Sequence, residues 1–175
     1  MSEKTFEDLL PKEEQILDKH NYYLNIAEAV SCKSTCLRRN YGAVIVNNDE
    51  IISTGYNGTP RGVENCNTRG SCIRTELNIP RGTNYNLCGS VHSEQNAIIS
   101  ASRRDMIGGT LYLCGKDNST GEYVENGNCC CICKRMIINA GIKQVVIRDT
   151  INKYRIIDVK DWTTDIESLI GLHGY

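Results

Sequence analysis

Two short segments, far apart in the sequence, carry side chains that bind metal ions well, and each stands where a helix is predicted to begin. The first contains His92, and the second contains Cys130 and Cys133. Thiolates three residues apart in the first turn of a helix lie on the same side and can face one ion, and the helix dipole stabilises their charge. With His92 they make a set of three ligands, which leaves the fourth position of a tetrahedral zinc ion open. A fold that uses this set has to bring the starts of the two helices together.

A carboxylate accompanies this candidate metal site. Glu94 follows His92 by two residues, near enough to move protons to and from a water molecule without being a ligand. An open zinc position beside such a carboxylate indicates a catalytic zinc, and the order of the residues matches the H-x-E and P-C-x-x-C pattern of zinc deaminases. Cys129 stands where that pattern has proline, and we expect Cys129 and Cys131 to take no part in metal binding.

The composition narrows the class of protein. Ten cysteines in 175 residues fall below the roughly 8 to 10% that marks a disulfide-stapled secreted scaffold. The segment that begins at Met1 is charged throughout, unlike a signal peptide, and no apolar run approaches the roughly 18 residues of a membrane span. We therefore expect a cytoplasmic protein with no membrane partner, with its cysteines as thiols and with a single domain over residues 1–175. A net charge of -1 argues against a broad basic surface, so we expect no nucleic-acid polymer as a partner.

The spacing of apolar residues predicts a layered α/β domain. A helical pattern covers about residues 13–33, and two apolar runs around a polar turn predict a hairpin over residues 43–54. A long loop follows over about residues 59–90. The pattern then predicts helices near residues 91–104 and 130–141 and short strands at residues 110–114, 144–148 and 154–159. This alternation favours helices packed on a mixed sheet.

The long loop over residues 59–90 carries few apolar positions, and loops of this length are uncommon in compact domains unless something orders them. Three cysteines lie in it and a fourth lies before the first strand: Cys36, Cys66, Cys72 and Cys88. A second, structural zinc held by these four thiols would order the loop where hydrophobic burial cannot. The alternative is that they are free or buried thiols.

Several motifs extend the similarity to known proteins beyond the metal ligands. They are STCLRRNYGAVIV, ISTGYNGTPRG, IRTELNIPRG, HSEQNAII and CKRMIINAGIKQVVIRD. On these motifs the chain resembles the deoxycytidylate (dCMP) deaminase family from about Tyr22 to Asp149. The resemblance implies the cytidine-deaminase fold, a three-layer α/β domain in which a mixed sheet of about five strands is flanked by helices. The chain departs from the family pattern at Ser93, which is usually alanine, and at Cys129.

The same resemblance implies an activity and its regulation. Members hydrolyse dCMP to dUMP and ammonia, which supplies dUMP for thymidylate synthesis. On this expectation Glu94 is the catalytic acid and base. Many members are homohexamers that dCTP activates and dTTP inhibits, with Mg²⁺ accompanying the triphosphate. Some carry a second zinc whose ligands lie near the positions of Cys36 and Cys66.

Five residues are candidates for contact with the substrate. The resemblance places Asn57 at the deoxyribose and base, although a plain turn residue is the alternative, and it places Ser93 at the edge of the pocket. Arg38 and Arg39 are candidates for the 5′-phosphate because a planar guanidinium suits phosphate oxygens, the alternative being a solvated pair. Relatives often cover the base with an aromatic residue after the fourth strand, and Tyr154 is the aromatic residue near that point.

Two other functions remain open at the level of sequence. One is a deaminase of another substrate, such as dCTP, cytidine, cytosine or adenosine in transfer RNA. The other is a structural zinc module in which Cys88 joins His92, Cys130 and Cys133 and closes the fourth position. In that module Glu94 would have no chemical role.

Overall fold

The computed structural model describes residues 18–80 and 82–170. Its strands are β1 (Arg39–Asn47), β2 (Glu50–Tyr56), β3 (Thr110–Asp117), β4 (Gln144–Arg148) and β5 (Tyr154–Asp158). Its helices are α1 (Lys19–Ser31), α2 (Cys66–Arg69), α3 (Ile73–Glu76), α4 (Ser93–Ile99), α5 (Arg103–Met106), α6 (Cys131–Ala140), α7 (Val159–Thr164) and α8 (Ile166–Ile170).

The five strands form one mixed sheet in the order β2-β1-β3-β4-β5. β1 pairs antiparallel with β2 and with β3, and β4 pairs antiparallel with β5. β3 and β4 are parallel, and α6 makes the crossover that a parallel pair requires. The predicted mixed sheet of about five strands flanked by helices is therefore confirmed.

Side chains of β1 alternate between the two faces of the sheet and bury both of them. Val44 and Val46 belong to a buried cluster with α1. Ala43 and Ile45 belong to a second cluster, on the opposite face, with residues of α4 and α6. Because successive side chains of a strand point to opposite faces, a strand covered on both sides reads as a continuous apolar run. The result is a three-layer arrangement in which α4 and α6 share one face.

The predicted hairpin is present as β1 and β2, and both strands are longer than the apolar runs alone suggested. Asn48 and Asp49 at its turn have φ values of 49° and 63°. Two consecutive positive φ angles are the mark of a type I′ turn, which asparagine and aspartate tolerate better than most residues.

The helix predicted over residues 13–33 begins, within the described residues, at Lys19, and its first residues lie outside that range. The Asp18 carboxylate accepts hydrogen bonds from the main-chain N–H groups of His20 and Asn21, which is a helix N-cap. The helix predicted near residues 91–104 is two helices, α4 and α5, because Ser102 caps a new helix start through the N–H of Arg104.

The long loop over residues 59–90 is less irregular than predicted. It contains α2, α3 and a 3₁₀ turn at Tyr85–Leu87. Two short helices, α7 and α8, follow β5 and were not predicted. Among the described residues, no helix is long and apolar enough to cross a membrane.

Candidate active site

The predicted metal ligands come together at the starts of two neighbouring helices. His92 is the N-cap residue of α4, and Cys130 is the N-cap residue of α6. The Nδ1 atom of His92 lies 3.4 Å from the sulfur of Cys130 and 3.4 Å from the sulfur of Cys133. Gln95 keeps the chain in place at this point, since its Oε1 accepts the main-chain N–H of His92 at 2.9 Å.

These separations fit a tetrahedral zinc ion. Bonds of about 2.3 Å to sulfur and about 2.0–2.1 Å to nitrogen place the two atoms roughly 3.5 Å apart in a tetrahedral site. Within residues 18–80 and 82–170, the ligand atoms of His92, Cys130 and Cys133 form the one group of three or more that all lie within 4.8 Å of one another. Cys88 is outside this group, so the geometry favours three ligands and an open position over the closed four-ligand module.

The three candidate ligands change one another's pKa values. Burial acts to lower the pKa of His92, but its hydrogen bond with Cys130 and the nearby Glu94 carboxylate raise that pKa to about 9. The hydrogen bond with Cys133 lowers the pKa of Cys130 to about 4, with a further contribution from the imidazole. The same contact with Cys130, together with burial, raises the pKa of Cys133. Without a cation the three groups thus hold one thiolate, on Cys130, beside a protonated imidazole, and binding of a metal ion would displace the protons of His92 and Cys133.

Glu94 lies in the first turn of α4, next to the metal ligands, and is 5% exposed. The hydroxyl of Ser93 donates a hydrogen bond to its Oε2 at 3.0 Å. Cys129 is fully buried beside this carboxylate, and burial followed by the charge of Glu94 raises the pKa of the thiol. Ser93 therefore contacts the candidate acid and base directly, while the Cys129 thiol stays neutral.

The position of α4 depends on a close contact with the edge strand. Gly55 of β2 faces the main chain of α4, and a Cβ atom built on it would lie 2.2 Å from the carbonyl oxygen of Ser93. The hydroxyl of Ser53 donates to the carbonyl of Ala97 at 2.7 Å. Because only glycine lets two backbones approach so closely, Gly55 determines where the helix with Glu94 can lie.

A cavity opens over the metal ligands and Glu94. The described residues that line it are Cys36, Arg38, Arg39, Tyr41, Asn57, Arg74, Gly82, Tyr85, Cys88, Ser90, His92, Ser93, Glu94, Asn128 and Cys130. The predicted substrate residues Asn57, Ser93, Arg38 and Arg39 are all among them. Tyr154 is not.

Asn57 is 8% exposed, and its amide is largely used within the protein. Its Oδ1 accepts the main-chain N–H of Tyr41 at 2.8 Å and the hydroxyl of Ser34 at 2.7 Å, and its Nδ2 donates to the carbonyl of Arg39 at 2.9 Å. Asn57 therefore holds the start of β1 at the wall of the cavity. A ligand contact would use the second hydrogen on Nδ2.

The two arginines differ in their surroundings. The Nε of Arg39 donates to Oδ2 of Asp117 at 3.2 Å, so a carboxylate already balances its charge. Arg38 lines the same cavity, and it makes no ion pair with a carboxylate in the part of the chain that the structure describes. A cation without a paired carboxylate is the better ligand for an incoming anion. The geometry thus separates two residues that the sequence left equivalent.

The expectation that Tyr154 covers the base does not match its position. Its ring lies 5.2 Å from the ring of His20, and its hydroxyl lies 3.3 Å from the Asp18 carboxylate, both at the start of α1. β5 turns this side chain to the face of the sheet that α1 covers, whereas the metal ligands start helices on the other face. An aromatic ring that does lie beside a metal ligand is that of Tyr85, whose centroid is 5.4 Å from that of His92.

Sequence reasoning missed both Tyr85 and Arg74 in the cavity. Tyr85 lies seven residues before His92, and Arg74 is a cation in a segment with few apolar residues. The signal that could have found them is the pairing of an aromatic residue and an arginine in a loop that also carries candidate metal ligands.

The four loop cysteines lie around a second cavity, next to the first. All of them line it as partly buried free thiols, although among the described residues no three of their sulfur atoms form a close group like that of the first site: Cys36, Cys66, Cys72 and Cys88. Burial, followed by the neighbouring Cys36, raises the pKa of Cys66. Cys36 and Cys88 also line the cavity over the metal ligands, so the two sites share a wall.

Comparisons with known proteins agree with this geometry. The family model for the cytidine and deoxycytidylate deaminase zinc-binding region matches residues 17–149. A deoxycytidylate deaminase of Mycobacterium phage D29 is 36% identical over 134 residues, which cover 74% of this chain and 93% of that protein. A deoxycytidylate deaminase of Schizosaccharomyces pombe is 32% identical over 133 residues, which cover 75% of this chain and 37% of that protein. This chain thus matches little more than a third of the yeast protein's length.

A solved structure shows the same fold. It is the dCMP deaminase of cyanophage S-TIM5 in complex with dCMP and dUMP, which is 27% identical with a TM-score of 0.54 and covers 90% of this chain and 95% of that one. The match of the family model includes all three ligands and Glu94. This chain belongs to the cytidine and deoxycytidylate deaminase family of zinc-binding proteins.

Proposed function

We propose that this chain hydrolyses dCMP to dUMP and ammonia. The observation that carries the proposal is the group formed by His92, Cys130 and Cys133, which leaves one ligand position open beside the buried carboxylate of Glu94. These three residues would hold a zinc ion, which would supply the Lewis acid that a hydrolytic deamination needs. The cyanophage relative whose structure contains dCMP and dUMP supports this choice of substrate.

Glu94 performs the proton transfers. Its carboxylate takes a proton from the attacking water as oxygen adds to ring carbon 4 of cytosine, and it delivers that proton to ring nitrogen 3. Glu94 then moves the remaining proton of the added hydroxyl to the exocyclic amine, the carbon–nitrogen bond breaks, and the departure of ammonia leaves carbon 4 as a carbonyl. The Ser93 hydroxyl, 3.0 Å from Oε2, orients the carboxylate for both transfers. Burial of Glu94 keeps bulk water from competing for these protons.

Arg38 binds the 5′-phosphate in this proposal. Arg38 lines the cavity, and no described carboxylate forms an ion pair with it, whereas Asp117 pairs with Arg39. A planar guanidinium offers two parallel N–H donors to phosphate oxygens, which suits a monophosphate better than a neutral nucleoside.

The assay compares ammonia release from dCMP, CMP, dCTP and cytosine. We expect the zinc-loaded protein to prefer dCMP, and we expect Glu94→Gln to retain zinc but to lose about a hundredfold to ten-thousandfold in kcat. The control is Glu50→Gln, which changes an exposed carboxylate at the start of β2 and leaves the rate unchanged. Zinc-loaded protein that releases no ammonia from any of the four compounds rules out the proposal.

A second zinc ion is part of the proposal. The four loop thiols around one cavity support it, because a metal there would hold α2 and α3 against the chain before β1. Metal analysis should give about two zinc ions per chain, and about one in a Cys66→Ser, Cys72→Ser double variant. Cys32→Ser, which alters an exposed thiol outside the cavity, is the control and keeps two. One zinc per chain in the unmodified protein contradicts the second site.

We also propose the regulation and assembly that the family resemblance implies. A single domain forms a cytoplasmic homohexamer, dCTP with Mg²⁺ activates it, dTTP inhibits it, and its dUMP enters thymidylate synthesis. A sigmoidal velocity curve against dCMP that becomes hyperbolic on addition of dCTP supports this regulation. Sedimentation of the zinc-loaded protein measures the assembly. A monomer with hyperbolic kinetics in the absence of nucleotide contradicts both.

A further inference from the structure

Arg74 is a buried cation that serves main-chain groups. It is 7% exposed, and no described carboxylate forms an ion pair with it. Its guanidinium instead donates to three carbonyl oxygens: Nη1 to Asn84 at 3.0 Å, and Nη2 to Pro80 at 2.9 Å and Thr83 at 2.8 Å. Because burying a charge is costly unless it is hydrogen-bonded, this arrangement indicates that Arg74 has a structural role.

Arg74 holds a turn of the chain at the wall of the cavity. The three carbonyls lie in a segment with little apolar surface, and Asn84 has a φ of 47°, in the left-handed region. One guanidinium, with several N–H donors in a fixed plane, binds the carbonyls of three residues within five positions of the chain. Immediately after this turn comes Tyr85, and the guanidinium carbon of Arg74 lies 5.4 Å from the centroid of its ring.

Tyr85 stands directly beside the reaction centre. Its ring lines the cavity and meets the imidazole of His92 edge to face, with centroids 5.4 Å apart and planes at 74°. A substrate ring with its reacting carbon between His92 and Glu94 would occupy the cavity that Tyr85 lines. Planar heterocycles pack well on aromatic rings, whatever their substituents.

We propose that Tyr85 is the aromatic wall against which the substrate base packs, and that Arg74 is the positioning residue that holds Tyr85 there. This inference rests on the proposed function and adds the residues that recognise the ring. It assigns base contact to the segment before α4, in place of the residue after β4 that the family resemblance suggested. Recognition of the ring and of the phosphate then comes from two residues that line the same cavity, Tyr85 and Arg38.

The test measures dCMP affinity in a Glu94→Gln background, where binding is separated from turnover. Calorimetry gives the dissociation constant, and zinc content and thermal unfolding show that each variant retains its site. Tyr85→Leu should weaken dCMP binding by about tenfold or more, as expected for the loss of base–aromatic stacking, and Tyr85→Phe should recover most of that loss. Tyr22→Leu, which changes a tyrosine that is 51% exposed, is the matched control and should bind as the parent does.

A double-mutant cycle tests the role of Arg74. Lysine keeps the charge but cannot reach three carbonyls with a planar fork, so Arg74→Lys should also weaken binding. If Arg74 acts through Tyr85, adding Arg74→Lys to Tyr85→Leu should change the dissociation constant by less than about twofold. Fold-changes that multiply in the double variant overturn the positioning role.

The outcomes separate this inference from the proposed function. Tyr85→Leu leaves the hydrogen bonds of Arg74 intact, so unchanged affinity in that variant overturns the aromatic wall whatever Arg74→Lys does. Ammonia release from dCMP by the unmodified protein, combined with unchanged affinity in Tyr85→Leu, overturns this inference alone. Failure of the unmodified protein to release ammonia, with failure of Glu94→Gln to bind dCMP, overturns both.

Discussion

Gly55→Ala is the most informative single substitution for the link between fold and activity. The new Cβ would lie 2.2 Å from the carbonyl oxygen of Ser93 and 2.4 Å from the main-chain nitrogen of Ala97, both in α4. Ordinary contacts of a methyl carbon with such atoms are about 3.2 Å or more. Because both obstacles are backbone atoms of a helix, no side-chain rotation relieves them. β2 and α4 have to separate by about 1 Å.

A movement of that size matters because α4 begins at the metal site. Its N-cap residue, His92, lies 3.4 Å from each ligand sulfur, and metal–ligand distances tolerate only about ±0.2 Å. A misplacement of about 1 Å costs roughly a hundredfold in rate. Overpacking of this kind also lowers the free energy of unfolding by about 1–3 kcal/mol, or several degrees in Tm.

The assay measures zinc content, ammonia release from dCMP and thermal unfolding for Gly55→Ala. Ser100→Ala, which changes an exposed residue at the C-terminal end of α4, away from its metal-binding start, is the control. We expect lower zinc content, a rate about a hundredfold lower and a lower Tm in Gly55→Ala only. Wild-type values for all three in Gly55→Ala would refute the close packing of α4 on β2.

Two further predictions concern single charges. Burial acts to raise the pKa of Glu28, but Lys116, 2.5 Å from Oε1, and the hydroxyl of Tyr123, 2.7 Å from Oε2, lower it below its ordinary value. A carboxyl pKa that is lowered in the folded protein stabilises the fold above its ordinary value, and this stabilisation is lost as pH falls through the lowered value. Glu28→Gln should therefore cost about 1 kcal/mol in urea unfolding at pH 7, a cost that shrinks below about pH 4.3 and vanishes only below the lowered pKa. A gap that persists in acid contradicts this assignment. Arg38→Gln should raise the KM for dCMP about tenfold and leave the KM for deoxycytidine nearly unchanged. Arg39→Gln should raise the KM for dCMP by a smaller factor, because Asp117 already pairs with Arg39. Equal losses on both substrates in steady-state assays would exclude Arg38 as the phosphate ligand.

Much of the metal site could be predicted because its geometry is local. Cys130 and Cys133 face one side since they are three residues apart around a helix start, and helical geometry depends on neighbouring residues alone. Glu94 follows His92 in the same way. The apolar run in β1 and the polar turn at Asn48 are also local features, and the hairpin that they form was predicted.

The cavity wall could not be predicted in the same way. Arg38 and Arg39 are adjacent in the sequence, yet Asp117 on β3 pairs with only one of them. Tyr154 was expected at the base because it follows β4, but the face of the sheet it joins depends on how β5 pairs. A strand shifted by one residue turns each side chain to the other face, which short apolar runs do not specify.

By itself, the sequence determined the residue types and spacings that short-range geometry converts into structure: two helix starts with metal ligands, a carboxylate two residues from a histidine, and a hairpin. Only the tertiary structure decided which side chains meet across the fold. In the folded protein Tyr85 lies beside His92, and Arg74 holds the turn that precedes Tyr85. The helix α4 packs closely on β2 because Gly55 has no side chain. The physical reason is that such contacts join residues on different elements. Their distances follow from strand order, register and backbone packing, which no local pattern encodes.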